Sequence, residues 1–263
     1  MDWLHAVAGL FVGVMVGMTG VGGGSLMAPI LILLFGVAPT TAVGTDLWFA
    51  AITKAVGGVV HHRHGGAEGG PDYEVIRRLC IGSLPAAVIV LLFLSQIDTH
   101  QVKGSFIMTA LGIVLILTAL ATLFRNRFHH WAVHARTDTA NRFLRYQAGL
   151  TVVAGAVLGV MVTLTSVGAG ALGATLLLLL YPLRMRLQKL IATDIVHAVP
   201  LTLVAGIGHL WIGNFNGMLL LNLLIGSIPG IIIGSMLASK VPEKVLQPLL
   251  AFVLVIAGWR LIA

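Results

Sequence analysis

Residues 9–24 read Gly9-Leu-Phe-Val-Gly13-Val-Met-Val-Gly-Met-Thr19-Gly-Val21-Gly22-Gly23-Gly24. Residues 155–170 read Gly155-Ala-Val-Leu-Gly159-Val-Met-Val-Thr-Leu-Thr165-Ser166-Val167-Gly168-Ala169-Gly170, and nine of the sixteen positions are identical. Further matches follow in the same order. Thr45-Asp46 returns as Thr193-Asp194, Gly58 with His61 as Gly206 with His209, and Ile81-Gly82-Ser83-Leu84-Pro85 as Ile225-Gly226-Ser227-Ile228-Pro229. Repetition at this spacing sets the organisation of a chain. It predicts two halves, 1–123 and 143–263, joined by a polar, basic linker at 124–142.

The surroundings of the repeat say in which solvent it folds. Of 263 residues, 58% are hydrophobic and 10% charged, with mean hydropathy +1.00. Soluble domains carry about 25% charged residues. Apolar runs of about 20 residues recur, each long enough for a hydrocarbon core of roughly 30 Å. They are continuous rather than alternating, which excludes a transmembrane barrel. The expected fold is an all-α polytopic membrane protein. Met1-Asp2-Trp3-Leu4-His5 lacks a basic leader region and runs directly into the repeated motif, so it reads as a retained span. The net charge of +7 comes from residues between apolar runs, which points to membrane topology and not to nucleic acid. Cys80 is the single cysteine and forms no internal disulfide.

Each half has the same layout. A first helix (about 4–19) meets a break at 20–24 and a short apolar piece at 25–37. Spans near 41–61, 74–95 and 102–123 follow. The second half gives 144–164, a break at 165–170, a short piece at 171–182, and spans near 190–211, 215–238 and 243–262. At 1.5 Å per residue the piece 25–37 is roughly 20 Å long, short of a crossing. The segments 4–37 and 144–182 are therefore expected to be re-entrant or broken-helix hairpins whose tips lie inside the bundle, where non-helical backbone is tolerated. Two readings of the glycines stand side by side. Close helix packing suits single ones such as Gly9 and Gly13; three in a row at a break, repeated as Gly168-Ala169-Gly170, favours a functional tip.

Charge counting fixes the orientation. With each hairpin returning to its own side, one face carries Arg63, Arg77, Arg78, Arg125, Arg127, Arg136, Arg142, Arg145, Arg184, Arg186, Lys189, Lys240 and Lys244. The other keeps only Lys103 and Arg260, a thirteen-to-two partition. The basic face is cytoplasmic, so the linker is internal and both termini are external. Trp3, Trp211 and Trp259 then share the external interface. The second half is inverted relative to the first, and inverted repeats with broken helices at the midplane are a transporter signature.

At each break the outgoing helix presents N–H groups without intrahelical partners and a partial positive charge. In the first half these belong to Gly22, Gly23, Gly24 and Ser25. In the second they belong to Gly168, Ala169, Gly170 and Ala171. Thr19, Ser25, Thr165 and Ser166 add hydroxyl donors. Two such tips brought together make a small oxyanion site without a fixed basic side chain.

The Gly-x-x-x-Gly followed by Thr19-Gly-Val-Gly-Gly-Gly-Ser25 resembles the TauE/SafE family. So do the stretch Pro39-Thr40-Thr41-Ala42-Val43-Gly44-Thr45 and the second-half Thr165-x-Val167-Gly168-x-Gly170. This is the family of sulfite exporters and organosulfonate permeases, also grouped with toluenesulfonate uptake proteins. The resemblance covers nearly the whole chain and implies transport of small sulfur-containing anions such as sulfite, thiosulfate or sulfonates. A Ser often follows the Gly-Thr of that pattern where this chain has Asp46, and Asp194 repeats the departure.

Ionisable residues inside spans are costly unless paired or hydrated. Asp46 and Asp194 read either as helix-start carboxylates near the interface or as carriers of a proton or cation that offsets substrate charge. His197, one turn after Asp194, fits a proton relay or a satisfied core histidine. Lys54 reads as a snorkelling side chain or as an attractor for the anion; it stands roughly 12 Å along the helix from Asp46. His61 and His209 are expected at the interface. The clusters His61-His62-Arg63-His64 and His129-His130 with His134 lack cysteine and nearby carboxylates, so no metal site is expected.

The leading expectation is an alternating-access secondary transporter in a bacterial cell membrane. Its partners would be a small anion, the bilayer, a coupling H+ or Na+, and a possible second copy of itself. No nucleic acid, cofactor, metal or catalytic residue is expected. An anion channel using the same tips, or a carrier of another small organic anion, is the alternative. An intramembrane enzyme fails, because there is no His-Glu-x-x-His and all three glutamates (Glu68, Glu74, Glu243) lie in expected loops.

Overall fold

The computed structural model describes residues 3–19, 24–64, 70–97, 100–125, 127–128, 132, 140–182, 185, 187–237 and 243–263. The chain is an all-helical, polytopic membrane protein, with no strand among the described residues. In order the helices are α1 (Trp3–Thr19), α2 (Gly24–Leu33), α3 (Pro39–His64), α4 (Tyr73–Gln96) and α5 (His100–Leu123). The second set is α6 (Ala140–Thr165), α7 (Ala171–Leu180), α8 (Leu187–Trp211), α9 (Gly217–Leu237) and α10 (Glu243–Ile262). Among the described residues, five helices are long and apolar enough to cross a membrane. Their outer faces present Ile89, Phe93, Val153 and Ile232 to the surroundings, the surface a lipid-facing helix requires. Several hydroxyls inside the helices are satisfied locally: those of Thr53, Thr118, Thr175 and Thr202 donate to carbonyls one turn back, which lowers the cost of placing them in an apolar bundle.

Both short helices fold back on the helix before them. In the first half, His5 near the start of α1 meets Phe35, just past α2, with ring centroids 4.4 Å apart. In the second half, the Gln147 amide donates to the Leu180 carbonyl at 2.7 Å. The hydroxyls of Thr151 and Tyr181 lie 2.8 Å apart. His5 and Phe35 correspond to Thr151 and Tyr181 in the repeat, so each hairpin is closed at equivalent positions. α2 stops at a left-handed Gly36 (φ +64), with the Val37 N–H reaching back to the Leu31 carbonyl at 3.0 Å. This is the six-to-one bond of a Schellman ending, which only a residue tolerant of positive φ supports.

The repeated motifs are two sides of one contact. α1 packs on α9, and α6 packs on α4. A Cβ at Gly9 or Gly13 would run into the backbone of Leu223 or Ser227, and one at Gly155 or Gly159 into that of Leu79 or Ser83. The fit is mutual, since Gly82 abuts Val152 and Ala156 while Gly226 abuts Ala6 and Leu10. The Gly-x-x-x-Gly of one half therefore seats on the Ile-Gly-Ser-x-Pro of the other. Lipid tails leave little hydrophobic drive between helices, so such backbone approach, with its dense van der Waals contact, holds the bundle together. The packing reading of Gly9 and Gly13 holds in the structure. α3 packs on α8 and α5 on α10.

The repeated threonines fasten the same exchange. The Thr193 hydroxyl accepts from the Asp72 N–H at 3.0 Å, and the Thr45 hydroxyl from the Asn216 N–H at 3.2 Å. Asp72 and Asn216 in turn cap their own helices. The Asp72 carboxylate accepts from the Val75 N–H at 3.3 Å, and the Asn216 carbonyl oxygen from the Leu219 N–H at 3.0 Å. Each cap answers N–H groups that the first turn leaves open.

Candidate functional site

The second break is fully described. Thr165 ends α6, and its hydroxyl donates to the Met161 carbonyl at 2.6 Å while accepting from the Val167 N–H at 3.1 Å. The hydroxyl is thus engaged in closing the turn. The chain then passes through left-handed backbone at Ser166 (φ 59), Gly168 (φ 117) and Gly170 (φ 148). Positive φ is open to glycine and costly for other residues, which explains the glycines flanking Ala169. Gly170 caps α7 without a side-chain hydrogen bond. The turn is closed by the N–H groups of Ser166, Val167, Gly173 and Ala174. All of Thr165 to Gly170 is buried. In this buried turn the Ser166 hydroxyl has no hydrogen-bond partner.

The first break is placed only at its edges. Gly22 and Gly23 lie outside the described residues, and so do the side chains of Thr19, Gly24 and Ser25. Its flanks nonetheless belong to the same buried apolar cluster as the second break. Val167 shares a buried apolar cluster with Val12 and Val16 of α1 and with Leu26, Met27 and Ala28 of α2.

The buried charges converge on the same region. Asp46 is fully buried, and neither carboxylate oxygen has a hydrogen-bond partner. Around it lie the Ser166 side chain, the Ala28 backbone of α2 and, within electrostatic range, Lys54. Asp194 is equally enclosed, at 3% exposure. Its Oδ1 has no hydrogen-bond partner and rests where a Cβ at Gly173 would stand. Lys54 and Arg125 are the cations acting on Asp194. Each aspartate therefore faces an early turn of the short helix of its own half, where the helix dipole favours negative charge. Both aspartates are thus enclosed by protein and not exposed on its surface. Both sit one residue after the threonine that clamps the other half, and that clamp draws them into the core.

Lys54 departs most from its snorkelling alternative. It is 5% exposed, and its ammonium donates to the Ala169 carbonyl of the second break. It lies within electrostatic range of both Asp46 and Asp194. The sequence places Lys54 too far from Asp46 to bond along one straight helix; the cross-chain partner at Ala169 is visible only in the fold. His197 is buried, with Nε2 2.9 Å from the Ser83 hydroxyl. The sequence places His209 at the interface. Instead it is buried, with Nε2 2.9 Å from the Thr163 carbonyl. Its Cβ also lies against Gly44, so packing of α8 on α3 keeps it inside. The side chains of His61, His62, Arg63 and His64 lie outside the described residues, as do His129, His130 and His134.

Chemically, the cluster offers a buried ammonium, two buried carboxylates, an unpartnered hydroxyl and a glycine-rich turn. An apolar bundle retains such groups where they meet a charged solute or a coupling ion.

The chain matches the family described as sulfite exporter TauE/SafE over residues 5–261. It is 37% identical over 259 residues to the Bacillus subtilis (strain 168) protein named "Probable membrane transporter protein YjnA", covering 97% of each chain. It is 24% identical over 214 residues to "Probable membrane transporter protein YdhB" of the same organism, covering 81% of each. No solved structure is significantly similar to the chain.

Proposed function

The chain belongs to the TauE/SafE sulfite exporter family, a family of membrane transporters, and from that premise we propose that it is a secondary transporter of small sulfur-containing anions: sulfite, thiosulfate or an organosulfonate. The observation that carries the proposal is the second break. There, left-handed backbone at Ser166, Gly168 and Gly170 is enclosed in the bundle with a lysine ammonium on the Ala169 carbonyl. Irregular backbone at membrane depth belongs where protein or a cavity surrounds it, and helix starts of this kind attract anions.

In this reading the anion lies between the two breaks. Backbone groups of Gly22, Gly23, Gly24, Gly168, Ala169 and Gly170 line the site, with the hydroxyls of Thr19, Ser25 and Ser166; Thr165 holds the turn. Asp46, Asp194, His197 and Lys54 balance the charge or carry a coupling H+ or Na+. The two halves, 1–123 and 143–263, act as inverted repeats around the linker 124–142, and the reciprocal glycine contacts support that arrangement. Alternating access then exposes the breaks to each face in turn. The protein works in a bacterial cell membrane with its linker in the cytoplasm, both termini outside, and carries out no covalent chemistry.

Counterflow in proteoliposomes tests the reading. Labelled anion is expected to accumulate transiently against its gradient when unlabelled anion is trapped inside. Replacing Gly23 or Gly24 with Val is expected to abolish this while leaving membrane insertion intact. Flux without counterflow makes the protein a channel, and normal counterflow by the valine variants removes the breaks as the binding site.

A further inference from the structure

The repeat makes Asp46 and Asp194 equivalent, but their cations are not. Asp194 lies within reach of Lys54 and Arg125, whereas Lys54 is the cation acting on Asp46. Lys54 is thus shared between the halves. Its ammonium has three N–H bonds, and the hydrogen bond it makes goes to the Ala169 carbonyl of the second break. Two N–H bonds remain to answer negative charge nearby. Asp46 has both oxygens buried and unpartnered, and the neighbouring Ser166 hydroxyl is buried and unpartnered too. The remaining ionisable groups of this region come from α8, as Asp194, His197 and His209, and from Arg125 beyond α5. Helices α2 and α9, which also pack on α3, carry none. An anion arriving at the second break therefore meets one ammonium already contested by two carboxylates, Asp194 and Asp46.

We infer that Lys54 is the fixed positive charge that receives the transported anion, and that Asp46 is the proton site that releases it. While Asp46 is ionised it competes with the solute for the ammonium. When Asp46 takes a proton from water on the loading side, its neutral O–H donates to the Ser166 oxygen and the ammonium turns to the anion. The reverse exchange on the far side returns the proton to water. Only the carboxyl O–H bond forms and breaks, and Lys54 stays charged throughout. One proton travels with each anion, and anion affinity rises as pH falls.

This inference rests on the transport reading above, and the test separates the two. The full-length protein is reconstituted in liposomes with labelled sulfite, thiosulfate and sulfoacetate outside and a pH-sensitive dye inside. Wild type is expected to accumulate at least one of these anions under an inward proton gradient, with dye acidification, and not under a sodium gradient alone. Asp46→Asn mimics the protonated carboxyl. It is expected to keep counterflow, with an affinity now independent of pH, while losing gradient-driven accumulation and the dye signal. Lys54→Met is expected to weaken anion binding about a hundred-fold, as removal of a buried charge partner does, with Lys54→Arg recovering part. A thermal melt of each variant confirms that it is folded. Wild type that moves none of these anions removes the transport reading and this inference together. Transport that survives Lys54→Met, proton-driven accumulation that survives Asp46→Asn, or drive by sodium alone removes the inference and leaves the transport reading standing.

Discussion

Helices α3 and α8 are the same element drawn twice, and they part company within two turns. Both carry a Thr-Asp pair. Both threonines accept the N–H of the residue that caps the other half's fourth helix, at 3.2 Å and 3.0 Å. Both aspartates then point into the core. Beyond that, the position of Lys54 in α3 is held by Thr202 in α8, and the position of His197 in α8 by Phe49 in α3. Thr202 satisfies its hydroxyl on the Ala198 carbonyl; Lys54 crosses to the second break. Symmetric residues build the frame, and the charges that break the symmetry build the chemistry.

The largest expected effect tests that division at its centre. Exchanging the pair, Lys54→Thr with Thr202→Lys, is expected to leave anion uptake as low as Lys54→Thr alone, on the order of a hundred-fold below wild type. The lysine would then stand opposite the first break, away from Ser166 and Ala169. Full uptake by the exchanged protein would show that the halves are interchangeable, and the asymmetry would lose its meaning.

The frame is expected to respond evenly. Gly13→Leu and Gly159→Leu each force a side chain into the facing backbone, of Ser227 and Ser83 respectively. Overpacking of this kind destabilises by about 1–3 kcal/mol. Thermal unfolding in detergent should show similar losses for the two. A large loss in one alone would mean that the halves do not share their packing.

The caps sharpen the comparison at the smallest scale. Asp72→Ala and Asn216→Ala each remove an N-cap, with a cost of about 1 kcal/mol. Asp72 also lies 3.5 Å from the Lys189 ammonium, which is one-third exposed. A screened pair of that kind adds about 0–1 kcal/mol, so Asp72→Ala should lower the melting temperature slightly more. Adding 1 M salt should narrow the gap between the two variants.

The sequence carried much of the frame because its signals are local. Continuous apolar runs announce spans, a short run after glycines announces a hairpin, and repetition announces a second copy. Helix ends fall within a few residues of expectation; α2 stops at Leu33 because Gly36 turns the chain earlier than the apolar run suggests. The candidate site was half legible. The glycine break at 168–170 and the paired aspartates stand out in the sequence. Their depth does not, because burial of Asp46 follows from the Thr45 clamp on Asn216, 171 positions away. The partner of Lys54 was hidden for the same reason: Ala169 is 115 positions distant and offers only its backbone carbonyl. Thr165 misleads in the other direction, since a hydroxyl beside a break looks available until its bonds to Met161 and Val167 are seen.

The central claim is that one anion occupies the space between the two breaks. A cryo-electron microscopy map of the protein with saturating sulfite or thiosulfate tests it directly. The account predicts density for a single anion between residues 19–25 and 166–170, within hydrogen-bonding distance of the Lys54 ammonium. Ordered anion density elsewhere, with that space filled by side chains and Lys54 still bonded only to Ala169, would contradict it.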